Sequence, residues 1–167
     1  LLEKKFGWNG ILCEPNKNYI KQLKKKRNAY VVTKAVWKNS FSQVLFEVSN
    51  QKGLSTISSF RNKDFHYRKI IDKYLVETIS LNDLLLKNNA PKVMDYLSID
   101  TEGSEYEILK NFNFNKFKFK VITCEHNQVK TKRKLINKLL ILNGYKKCLN
   151  KFTKNTCEDW YYNRFLI

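Results

Sequence analysis

Apolar residues along the chain fall into two patterns, short continuous runs and spacings of three and four, which predict strands interleaved with helices. Residues 1–6 read as the closing turns of a helix, stopped by Gly7 in the position after the last turn. Residues 10–14 form a short apolar run ending in Glu14, the pattern of a buried parallel strand. Asn16 stands where a cap is needed before a helix with Tyr19, Ile20 and Leu23 on its apolar face. That helix ends in Lys24, Lys25, Lys26 and Arg27, cations at the negative pole of its dipole. Residues 29–36 predict another strand, and residues 43–48 a segment that pairs with a neighbour.

Residues 49–75 are polar and irregular, with Gly53, several serines and His66. The expectation there is a long loop carrying one short helix over 61–74, of the kind that covers a site. Ser80 and Asp83 then start a helix on Leu81, Leu84 and Leu85. Residues 93–99 are the clearest central strand and end at Asp100. Ser104 and Glu107 predict a capping box for a helix running to about residue 111, with Ile108 and Leu109 inward. Residues 119–124 form the next strand, ending at Glu125. Residues 132–143 are amphipathic on Leu135, Ile136, Leu139 and Leu140 and stop at Gly144. Residues 145–149 and 160–165 complete an antiparallel pair. There is no internal repeat and no low-complexity linker. The expected architecture is one α/β domain over residues 1–167, built on a mostly parallel sheet with an antiparallel C-terminal edge.

Composition narrows the function. A chain of 167 residues with 43% apolar and 14% aromatic positions can bury a core, which excludes a disordered segment. No apolar run approaches the ~18 residues of a membrane span, and the charged first residues do not read as a secretory signal. The net charge of +17 suggests a nucleic-acid partner, but the cations are 27 Lys and only 5 Arg, and base readers lean on Arg. With 19 Asn beside those lysines, the charge reads as a solvated surface from an A/T-rich gene, and nucleic acid is not favoured. Cys13, Cys124, Cys148 and Cys157 have no metal-ligand spacing and read as reduced thiols of a cytoplasmic protein. Cys148 and Cys157 flank the predicted hairpin and could face each other. Nothing in the sequence fixes an oligomeric state.

Candidate chemistry gathers where strands end. In open α/β sheets ligands sit beyond the carboxyl ends of the strands, and three of those ends are acids: Glu14, Asp100 and Glu125. A carboxylate there can accept from both hydroxyls of a ribose, and Glu14 followed by Pro15 suits that role. Merely complementing the dipole of the next helix would equally place an acid at that point. Residues 93–109, VMDYLSIDTEGSEYEIL, put Asp100 at a strand tip, Glu102 just beyond, and Gly103 where the chain must bend into a helix.

This DTEGSE turn resembles the hallmark of the FkbM family of S-adenosylmethionine-dependent methyltransferases. GWNGILCEPN (7–16), TKAVW (33–37), ETISLNDLL (77–85), VITCEHN (121–127), NGY (143–145) and EDWYY (158–162) fit the same family, so the resemblance spans essentially the whole chain. It implies the class I, Rossmann-like methyltransferase fold, S-adenosylmethionine as donor, and a hydroxyl acceptor on a sugar or small metabolite. Carried onto matching residues, Glu14 and Pro15 would meet the ribose and Ala35 would lie near the adenine. Asp100 and Glu102 would line the methyl-transfer end, Asp100 also touching the cofactor, with Glu125 and His126 beside them as further catalytic candidates. His126 is the preferred base, because an imidazole near pKa ~6.5 suits neutral pH, and Asp100 or Glu102 would orient it or act in its place. A divalent metal on Asp100, Glu102 and His126 is chemically accessible, but no metal is assigned. His66 has no motif partner and reads as a surface residue.

One family element is missing from the sequence. The five glycines, at 7, 10, 53, 103 and 144, include no glycine-rich turn after a first strand. The expectation is that the natural protein continues upstream by roughly 30–60 residues, one strand-helix unit, and that the chain as it stands holds the cofactor weakly. Two competing readings are a methyltransferase acting on RNA and a non-catalytic basic binding module derived from the fold.

Overall fold

A computed structural model describes residues 2–148 and 156–166. The first helix, α1 (Leu2–Phe6), closes at Gly7, whose φ of 65° lets its N–H reach the Glu3 carbonyl at 3.1 Å. Leu1, expected to begin that helix, lies outside the described residues. Strand β1 (Ile11–Cys13) pairs in parallel with β2 (Tyr30–Val32) across helix α2 (Lys17–Lys26). Asn16 caps α2 as expected, its side-chain oxygen accepting from the Asn18 N–H at 3.0 Å.

The strand expected over 29–36 is two strands. Thr33 and Lys34 leave the ladder, and the chain changes partner. β3 (Ala35–Trp37) pairs in parallel with β6 (Ile70–Ser80), which also pairs antiparallel with β4 (Gln43–Ser49). The short β5 (Thr56–Ile57) closes this second sheet, in the order β3-β6-β4-β5, over a core of Ala35, Phe46, Val48, Ile57 and Val76. β6 replaces the helix expected within 61–74. Its Tyr74, Val76 and Thr78 turn inward while Lys73, Leu75 and Glu77 stay exposed, a two-residue period suited to β-branched and aromatic side chains.

The third sheet carries the main core. Helix α3 (Leu81–Lys87) starts as predicted, with the Ser80 hydroxyl accepting from the Asp83 N–H at 3.1 Å. Strand β7 (Val93–Ile99) leads through α4 (Glu105–Lys110) to β8 (Lys118–Glu125), which it pairs in parallel. After α5 (Lys130–Leu142), β9 (Tyr145–Lys147) and β10 (Glu158–Asn163) form the antiparallel edge, in the order β7-β8-β10-β9. Leu149, the expected end of β9, lies outside the described residues. Leu109, Ile122 and Leu140 are completely buried between this sheet and its helices.

The architecture is mixed α/β, consistent with a methyltransferase fold, but its sheets correct the expectation of one mostly parallel sheet. Ladders β1–β2, β3–β6 and β7–β8 are parallel; β4–β5, β4–β6, β8–β10 and β9–β10 are antiparallel. The unanticipated long strand β6 is the main source of the difference, because it brings β4 and β5 in against the parallel direction. Among the described residues, no helix is long and apolar enough to cross a membrane.

Candidate active site

The site grows from the turn after β7. Glu102 has φ 57° and Gly103 φ 132°, a left-handed bend that aims the Glu102 side chain back across the strand end. Gly103 is required sterically as well, since a Cβ there would stand 2.7 Å from Cβ of Phe60. The expected Ser104–Glu107 capping box does not form. Ser104 is already near-helical (φ −91°, ψ 2°) and makes no side-chain cap; its hydroxyl donates to Thr101 Oγ1 at 2.8 Å. Glu105 binds the turn instead, its Oε1 accepting from the N–H groups of Thr101 at 2.8 Å and Gly103 at 3.1 Å. Lys132 of α5 neutralises the other Glu105 oxygen at 3.1 Å.

A cleft enclosing about 640 Å³ of empty space, part of it open to solvent, runs along the strand ends. Glu14, Pro15 and Ala35 line it from the β1 and β3 side, and Asp100 and Glu102 from β7. Asn16 N–H donates to Glu14 Oε1 at 2.7 Å, and burial raises the Glu14 carboxyl above its ordinary pKa. The structure therefore brings both sequence-derived halves of the site to one cleft. Glu125 stands beside the Asp100–Glu102 end, with one oxygen from each of the three carboxylates within 4.8 Å of the others. Glu125 is only 9% exposed, and among the described residues its Oε2 has no hydrogen-bond donor other than a proton shared with the neighbouring Asp100 carboxyl. Burial, then the charges of Asp100, Glu102 and Glu105, push its carboxyl up to about 9. Burial also raises Asp100 and Glu102.

His126, the base expected from sequence, is not brought to the cleft. Its ring is 1% exposed, Nδ1 accepts from the Gln128 N–H at 3.0 Å, and Nε2 stands 3.6 Å from Asp159 Oδ2. Nδ1 is taken by the Gln128 N–H and Nε2 faces Asp159, so neither ring nitrogen lines the cleft. His66 lies on the surface, where its backbone N–H donates to Asp64 Oδ1 at 2.9 Å.

Asp159 anchors this far side of the sheet. Arg133 binds it through both oxygens, at 2.8 and 2.7 Å, and Lys147 Nζ stands 2.8 Å from Oδ2. Burial works against its charge, but the donors His126, Arg133 and Lys147 outweigh it and hold the carboxyl well below the usual range. A depressed folded pKa stabilises the fold above the ordinary carboxylate value of about 3.9, and that stability is lost as pH falls toward the folded value. Unfolding free energies from denaturant titrations between pH 7 and 2 should drop below about pH 4, by up to about 1.4 kcal/mol per pH unit. Asp159→Asn should be less stable at pH 7 and flatter in acid.

The residue that sequence reasoning missed is Arg68. Its buried guanidinium makes a two-pronged contact with Asp64, 2.7 Å on each prong, and donates to Glu102 Oε2 at 2.7 Å. It also donates to the Leu54 carbonyl at 2.9 Å and the Arg61 carbonyl at 3.0 Å. Asn127, itself left-handed at φ 48°, adds its amide at 3.2 Å from Asp64 and 3.3 Å from Glu102. Thr56 Oγ1 donates to the Glu102 carbonyl at 2.8 Å. The segment before β6 is thus fastened to the β7 turn at several points, and between Asp64 and Arg68 it presents Phe65 and Tyr67 to solvent. One signal in the sequence pointed here, an Asp and an Arg four residues apart in a chain where Arg is scarce.

Comparison with protein families matches residues 1–152 to the family described as the methyltransferase FkbM domain. No curated protein and no solved structure matches the chain.

Proposed function

This chain belongs to the FkbM methyltransferase family, whose members generally use S-adenosylmethionine, and on that premise we propose that it methylates a hydroxyl of a sugar or small metabolite. The observation that carries the reading is the single cleft shared by Glu14 and Ala35 on one side and Asp100 and Glu102 on the other. Its donor set suits the cofactor. Glu14 has one oxygen committed to Asn16 and a second with which to accept from a ribose hydroxyl. Ala35, small and 3% exposed, belongs to the apolar wall where Phe46 and Ile57 also face the cleft and can flank a flat base.

S-adenosylmethionine supplies a methyl group already activated on a sulfonium. What remains for the chain is to align the acceptor oxygen and take its proton as the bond forms. Asp100 is the residue for that step: it opens onto the cleft, and no cation is paired with it among the described residues. Glu102 shapes the same end of the cleft but is held by Arg68. Acceptor choice falls to the segment over 49–69 that borders the site.

Equilibrium binding of S-adenosylmethionine and its demethylated product tests the cofactor half of the reading. Glu14→Gln should weaken both by about 10–100-fold, the worth of a hydrogen bond to a charged group. Unchanged affinity in that variant would remove the cofactor from the cleft. Transfer of labelled methyl to hydroxyls of glycan or small-metabolite fractions tests the acceptor class, and label appearing in RNA instead would overturn it.

A further inference from the structure

Five carboxylates converge at the Asp100 end of the cleft, those of Asp64, Asp100, Glu102, Glu105 and Glu125, and among the described residues only Arg68 and Lys132 form ion pairs with them. Arg68 is divided between Asp64 and Glu102, and Lys132 goes to Glu105, so among the described residues Asp100 and Glu125 form no ion pair of their own. The spacing is that of a coordination shell. One oxygen from each of Asp100, Glu102 and Glu125 lies within 4.8 Å of the other two, and oxygens bound to one hard cation at about 2.1–2.6 Å stand no more than about 5 Å apart. An independent sign of a missing partner is Glu125 itself. It is more than nine-tenths buried, it belongs to this group of oxygens, and among the described residues its Oε2 has no hydrogen-bond donor other than a proton shared with the neighbouring Asp100 carboxyl. Leaving a buried carboxylate oxygen unpaired is costly, and a bound cation relieves that cost.

We propose that Asp100, Glu102 and Glu125 form a binding site for a hard divalent cation of the magnesium, manganese or calcium kind. All three ligands are carboxylate oxygens, with no thiolate or imidazole among them, which selects against zinc and copper. His126, part of the ligand set that the sequence suggested, is replaced by Glu125. Arg68 and Asn127 act from behind, fixing the Glu102 carboxylate through Oε2. Ion binding is independent of methyl transfer. A further effect, in which the ion lowers the pKa of an acceptor hydroxyl, rests on the reading above.

The test uses the chelator-washed chain without S-adenosylmethionine, titrated with Mn²⁺ while free ion is counted by electron paramagnetic resonance. The expected result is one Mn²⁺ bound per chain below about 1 mM, displaced by Mg²⁺ or Ca²⁺. Glu125→Gln and Asp100→Asn should each weaken binding by about 10–100-fold with circular dichroism unchanged. Should either variant misfold, the wild-type chain still decides. Bound Mn²⁺ should broaden the amide signals of Thr101, Gly103 and His126 before those of surface residues. No saturable binding, affinity unchanged in both variants, or broadening centred elsewhere would each overturn the site. Because no methyl donor is present, these results are separate from the success or failure of the methyltransferase reading.

Discussion

Arg68→Met is expected to lower the stability of the chain by about 3–5 kcal/mol, because it strands two buried carboxylates that share one guanidinium. Asp64 loses its two-pronged partner and Glu102 its ion pair, while the Leu54 and Arg61 carbonyls lose their donor. Methionine keeps much of the apolar stem, so the loss reports on charge and hydrogen bonding rather than on a cavity. Urea denaturation at pH 7 reads the change directly, and hydrogen exchange should show the amides of residues 54–69 opening ahead of the rest. Adding Asp64→Asn to Arg68→Met should recover part of the loss, since one of the stranded charges is then gone. A loss below about 1 kcal/mol would put the pair in the class of surface ion pairs and contradict its burial.

Asp100→Asn is expected to reduce methyl transfer by about 10²–10⁴-fold, the usual range for removing a positioned base, while leaving S-adenosylmethionine affinity nearly unchanged. The substitution is close to isosteric and the side chain opens onto the cleft, so the fold should tolerate it. His126→Ala is the informative contrast. Since that ring is enclosed between the Gln128 N–H and Asp159, its removal should reduce stability before it reduces turnover. If His126→Ala abolished transfer in a folded protein and Asp100→Asn did not, the assignment of the base to Asp100 would fail.

The strand-end acids were legible because each closes an apolar run at a change of periodicity, which is how Glu14, Asp100 and Glu125 stand out in the chain. The same reasoning could not separate Glu125 from His126. Neighbours at the end of a strand leave it on opposite faces, so the two cannot both turn to the cleft, and only the packing of β10 against β8 shows which does. Strand β6 was hidden for another reason. Its first half borders a polar segment, and its exposed Ile71 and Leu75 blur the two-residue period until β4 is there to pair with it. Arg68 depends on contacts across 34 residues of sequence to Glu102, which no local pattern encodes. The left-handed turns at Glu102 and Asn127 were equally silent, because each is held in place by tertiary bonds rather than by a glycine at that position.

The fastening of the segment before β6 to the β7 turn divides that segment into parts with different tolerance for change. Phe60, packed against Gly103, and the Asp64–Arg68 pair are anchors, and altering them disturbs the β7 turn itself. Between the members of that pair lie only Phe65, His66 and Tyr67, with both aromatic rings displayed to solvent. For an engineer seeking a new acceptor, those three positions are an exchangeable cassette. Libraries confined to them can sample new side chains on the segment that borders the site while its anchors stay in place, whereas libraries spread across the whole segment would also strike Phe60, Asp64 and Arg68.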